Sequence, residues 1–132
     1  MAVELNHTIV HTRDAEASAR FLADVLGLAP PHRFGPFLVV EAANGVSLDF
    51  LATDQPFPAE HYAFLVSESE FDEIFARLQS RGVDHFADPR LARKGQINRN
   101  DGGRGCYFKG PEGHVLEIIT RPYGSGDSGR PS

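Results

Sequence analysis

The chain has 132 residues, enough for one compact domain or two very small ones fused through a shared core. Its 41% hydrophobic and 23% charged residues exclude a largely disordered chain, and a net charge of −5 argues against a nucleic-acid partner, whose phosphates call for a basic face. No apolar run approaches the roughly 20 residues of a membrane-spanning helix, and the start MAVELNHTIV lacks the basic region and cleavage site of a signal peptide.

Residues 5–28 read LNHTIVHTRDAEASARFLADVLGL. A β-prone run containing His7 and His11 leads to Asp14, whose carboxylate suits a helix N-cap. Phe21, Leu22, Val25 and Leu26 then form an apolar stripe at helical spacing, ending at Gly27. Arg33 and Phe34 suggest a short strand, and residues 37–40 and 46–51 are strands flanking the hairpin signal Asn44-Gly45. Pro56 and Pro58 interrupt residues 52–60, which read as a linker. In residues 60–83, EHYAFLVSESEFDEIFARLQSRGV, Ser67 and Glu70 have capping-box spacing, and Phe71, Ile74, Phe75 and Leu78 form a helical face. Asp84, His85 and Phe86 suggest another short strand. Residues 88–103 read as a long polar loop. Residues 105–108 and 114–119 flank Gly110-Pro111-Glu112-Gly113 as a second hairpin, and Tyr123 opens a Gly/Ser-rich tail expected to be flexible over 123–132. Cys106, the single cysteine, reads as a small apolar strand residue; it allows no internal disulfide and makes a cytoplasmic location the expectation.

These elements repeat. His7 precedes Gly27 by 20 positions and His61 precedes Gly82 by 21; Gly45 lies four residues before Asp49, and Gly113 four before Glu117. Each half reads β-α-β-β-β, giving an α+β fold of two βαβββ modules, module one about 4–52 and module two about 60–121, within one domain covering 1–122. Strand alternation puts His7, Ile9 and His11 on one face, and sets Asp49 and Glu117 inside otherwise apolar strands, where an ionised carboxylate needs a partner or a metal. A twofold relation between modules would oppose His7 to His61 and Asp49 to Glu117. Two imidazoles and two carboxylates suit one divalent ion: Zn, Ni, Co, Mn or Fe. His11 reads as a substrate contact, His114 is excluded as a ligand because it lies on the strand face opposite Glu117, and His32 and His85 read as structural or surface residues.

The stretch GRGCYFKGPEGHVLEIIT, residues 103–120, resembles the Y-F-x-D-P-D-G-N-x-I-E-L ending of the vicinal oxygen chelate superfamily, with Gly110, Glu112 and His114 replacing its two Asp and its Asn. The group spans glyoxalases, fosfomycin- and bleomycin-resistance proteins and extradiol dioxygenases. The resemblance covers about residues 4–121 and implies a U-shaped, mostly antiparallel sheet with helices outside. It also implies metal ligands at His7, His61 and Glu117, with Asp49 where glyoxalase I has a Glu, and Glu117 doubling as a base. The expected substrate is a small molecule with vicinal oxygens. Isomerase, lyase or antibiotic-modifying transferase chemistry stands first, Fe(II) extradiol-type dioxygenation second and metal-free drug binding third. Asn98, Arg99, Arg104 and Tyr107 are further substrate-binding candidates, and relatives imply a homodimer.

Overall fold

The computed structural model describes residues 2–126. They form two compact units: the first runs to Pro58 and takes in Gly110–Glu112, and the second covers Ala59–Lys109 and resumes at Gly113. The division falls in the proline-bearing linker.

The first unit runs β1 (His7–Thr12), α1 (Ala15–Leu26), β2 (His32–Phe34), β3 (Phe37–Glu41) and β4 (Ser47–Ala52). Its sheet has the order β1-β4-β3-β2, with β1 parallel to β4 and the other neighbours antiparallel. The Asp14 carboxylate accepts the Ala17 amide hydrogen at 3.1 Å, as its N-cap position predicts. Gly27 ends the helix at φ 72°, a left-handed conformation in which a Cβ would be strained. Phe21, Leu22 and Val25 are buried as α1 lies against β1, β3 and β4. Each fully buried side chain of this size stabilises the fold by roughly 1.5–3 kcal/mol. Val10 and Thr12 of β1 join this core, while His7, Ile9 and His11 share the exposed face.

The second unit runs β5 (His61–Leu65), α2 (Glu68–Ser80), β6 (Gly105–Lys109) and β7 (Val115–Ile119). Its sheet has the order β5-β7-β6, with β5 parallel to β7 and β6 antiparallel to it. The capping box forms: Ser67 Oγ accepts the Glu70 amide at 3.1 Å, and the Glu70 carboxylate accepts the Ser67 amide at 2.8 Å. Phe71, Ile74 and Leu78 are buried.

The α+β class holds, with two mixed sheets in which the first and last strands of each unit pair in parallel. The second unit departs from the expected β-α-β-β-β. After α2, residues 84–86 contribute only isolated bridges, from Phe86 to Tyr107 and to Lys94. The chain there is held by turns instead. Asp88 accepts the amide hydrogens of Ala92 and Arg93 at 3.0 and 2.7 Å, and residues 88–103 are organised further by a bridge from Asn98 to Gly105 and a 3₁₀ turn at Asn100–Gly102. Of the expected tail, residues 123–126 are tied back: Gly126 donates its amide hydrogen to Asp101 Oδ1 at 3.0 Å. Residues 127–132 lie outside the described residues. Among the described residues no helix is long and apolar enough to cross a membrane.

Candidate metal-binding site

The parallel pairing of β5 with β7 sets Ala63 opposite Glu117. His61, two residues earlier, points to the same face as Ala63, so its ring reaches diagonally toward the carboxylate. Nε2 of His61 lies 3.1 Å from Oε1 of Glu117, although 56 residues separate them. Glu117 is fully buried, with 0% of its surface exposed. Nδ1 of His61 lies 3.0 Å from the Val115 carbonyl oxygen, which can only accept, so Nδ1 carries the hydrogen. Nε2 therefore turns either a lone pair or a second N–H toward an oxygen that also only accepts. A lone pair and a carboxylate oxygen facing each other form a donor set for a cation, and an imidazole held through Nδ1–H on a carbonyl is the usual support of a metal-bound histidine. The residues present fit a divalent metal.

The second oxygen of Glu117 has another partner. The Tyr123 hydroxyl donates to Oε2 at 2.5 Å, and the hydroxyls of Tyr107 and Tyr123 lie 2.9 Å apart. Tyr107 stands directly opposite Glu117 on β6, and its ring lies against His61 with centroids 5.8 Å apart. Burial pushes both phenols above their ordinary range, followed for Tyr107 by its bond to Tyr123 and for Tyr123 by its bond to Glu117.

The first unit repeats the strand offset of the histidine and the carboxylate. The pairing of β1 with β4 sets Ile9 opposite Asp49, and His7 again lies two residues before that partner. Asp49 is 8% exposed and accepts the Ser47 hydroxyl at 3.0 Å; His7 Nδ1 lies 2.7 Å from Asn6 Oδ1. His7 and Asp49 thus belong to the first unit, His61 and Glu117 to the second. The structure brings His61 and Glu117 together; among the described residues no three His, Cys, Asp or Glu side chains gather as a metal cluster.

Residues 4–118 match the Glyoxalase/Bleomycin resistance protein/Dioxygenase superfamily. The chain belongs to that superfamily. Among solved structures it is similar to Oxidase ChaP-H1, with 65% identity, a TM-score of 0.91, and coverage of 93% of this chain and 99% of that one. Oxidase ChaP-H2 matches at 58% identity and a TM-score of 0.93, over 96% of this chain and 100% of that one. The Glutathione transferase FosA of Serratia marcescens is 28% identical over 124 residues, covering 89% of this chain and 81% of the relative.

Of the sequence candidates for substrate contact, Tyr107 lies at the His61–Glu117 pair. His11 stacks against Phe57 at 6.3 Å on the exposed face of β1. Asn98 braces its loop, donating from Nδ2 to the Ala87 carbonyl at 2.9 Å and accepting the Asn100 amide at 3.2 Å. Arg99 immediately precedes the 3₁₀ turn. The guanidinium of Arg104 is engaged by α2: it contacts Glu68 at 2.7 Å and Asp72 at 2.9 Å, and sits 4.4 Å from the Phe71 ring centroid. His114, excluded as a ligand from the sequence, is 1% exposed, and its Nδ1 accepts the Glu60 amide hydrogen at 2.8 Å. Sequence reasoning missed Tyr123. The available signal was one aromatic residue inside a Gly/Ser-rich stretch.

Proposed function

We propose that this protein is a divalent-metal-dependent oxidase acting on a small molecule that presents two neighbouring oxygens, with His61 and Glu117 as ligands of the metal. The observation that carries this reading is the buried Glu117 carboxylate facing a histidine nitrogen whose ring is oriented from behind by a backbone carbonyl. The choice of oxidase rests on the 65% identity to Oxidase ChaP-H1. It reverses the order reached from sequence, which set isomerase, lyase or transferase chemistry ahead of oxygen chemistry.

When bound, a divalent metal supplies Lewis acidity, and as iron it also supplies redox chemistry to a chelating substrate. The chain's own part is to hold His61 in a single tautomer through Val115 and to fix Glu117 between His61 and Tyr123. Burial of Glu117 keeps water away from its carboxylate. We further propose that Glu117 accepts the proton leaving a bound substrate hydroxyl.

The test is oxygen consumption by metal-reconstituted protein against a panel of catechols, hydroxyquinones and α-hydroxyketones. Uptake that is lost on chelation and restored by Fe(II) supports the reading. Addition of a thiol to fosfomycin, with no oxygen uptake, would instead favour the second reading, a thiol transferase, which the similarity to FosA supports. We also propose a cytoplasmic homodimer; light scattering at tens of micromolar checks the dimer against a chain mass of 14.5 kDa.

A further inference from the structure

The two oxygens of Glu117 are not equivalent. Oε1 faces His61 Nε2 at 3.1 Å, whereas Oε2 receives the Tyr123 hydroxyl at 2.5 Å. A carboxylate oxygen only accepts, so the Tyr123 O–H is spent on Glu117, and its oxygen is left to accept from Tyr107. The hydrogen bonds thus run one way, from Tyr107 to Tyr123 to Glu117. Tyr107 is set by the β6–β7 register, which places it directly opposite Glu117. Tyr123 is set by the segment beyond β7, where Ser125 donates to the Pro122 carbonyl at 3.1 Å and Gly126 to Asp101 at 3.0 Å. Tyr123 is 54% exposed, so burying its ring does not account for the placement of its hydroxyl against a fully buried carboxylate.

We propose that Tyr123 is a positioning residue that holds Oε2 of Glu117 and so presents Oε1 alone, beside His61, to the metal. The inference rests on the metal reading above. A carboxylate with one oxygen held by a phenol binds a cation through the other; without the phenol it is free to rotate and to offer both. Tyr123 thereby sets the mode of ligation without touching the ion, and Tyr107 acts one bond further out.

The experiment uses Co(II) alone as the probe, because its visible absorption reports coordination without any turnover. Wild-type, Glu117→Gln, Tyr123→Phe and Tyr107→Phe proteins are titrated with Co(II), and unfolding is followed in parallel to check that each is folded. Tyr123→Phe is expected to weaken Co(II) binding about 10- to 100-fold, as loss of a hydrogen-bond partner behind a metal ligand does, and to shift the absorption bands. Tyr107→Phe is expected to do the same to a smaller extent, and it alone decides the matter if Tyr123→Phe does not fold. Binding lost in Glu117→Gln but unchanged, in strength and in spectrum, in the folded Tyr→Phe variants overturns this inference alone. Wild-type protein that binds no Co(II), or Glu117→Gln that binds like wild type, overturns the metal reading and this inference with it.

Discussion

Ala63 and Glu117 are direct partners across the parallel β5–β7 ladder, and this pairing is what lays the His61 ring beside the carboxylate two residues along. Ile9 and Asp49 are partners in the same sense across β1 and β4, with His7 in the place of His61. The two units thus carry the same histidine and carboxylate offset, with a Glu in one and a shorter Asp in the other.

That difference in length predicts unequal roles. Glu117→Gln is expected to lower metal affinity by more than about 100-fold, beyond what losing a mere supporting partner costs. Asp49, which already takes the Ser47 hydroxyl, is expected to tolerate Asn with a smaller loss. Turnover should stay absent in Glu117→Gln even at saturating metal. Full activity there would leave Glu117 a ligand and no base.

The histidines should separate by role. His61→Ala is expected to abolish metal binding, while His32→Ala and His114→Ala should retain it. His114→Ala should nevertheless destabilise the fold, because it opens a cavity and strips the Glu60 amide of its acceptor. Metal titration beside thermal unfolding of the three variants checks both statements.

Arg104 is expected to act on stability. Glu68 is held below its ordinary value, first by the Thr120 hydroxyl and then by Arg104. A depressed carboxylate contributes stability that is complete above the unfolded value, about 4.3, and is lost as pH falls through the folded value. Arg104→Met should therefore lower Tm at neutral pH and flatten its fall in acid. Added salt should narrow the gap from wild type, since the carboxylates of the pair are exposed. A selective rise in substrate KM with Tm unchanged would return Arg104 to the substrate-contact role.

Cys106 is buried, and desolvation, reinforced by the nearby Glu117 charge, pushes its thiol up to about 12. At pH 8 only about one molecule in ten thousand carries the thiolate that reacts. A thiol reagent should thus label the native protein no faster than it unfolds, and labelling rate should track denaturant. Rapid labelling of the folded protein at pH 7 would contradict this burial.

What the sequence determined by itself was local or periodic. Asp14 and Ser67 cap their helices through bonds spanning three residues, Asn44-Gly45 closes its hairpin, and the alternation of β1 places His7 on the exposed face. Such features follow from neighbours within a turn or two, so composition and spacing are enough to read them, and duplication of the pattern gave the modules. Only the tertiary structure decided the partners that chain separation hides. Parallel pairing of β5 with β7 chose which side chains meet across 56 residues. Packing gave the Arg104 guanidinium to two carboxylates and an aromatic face on α2 that no spacing rule links to it. It also reduced the short strand after α2 to bridges at Phe86, where the following turns supplied the hydrogen bonds. The return of the chain after β7 carried Tyr123 onto Glu117 for the same reason: a buried carboxylate selects whatever donor the fold brings within reach, and a polar tail gives no advance sign of being that donor.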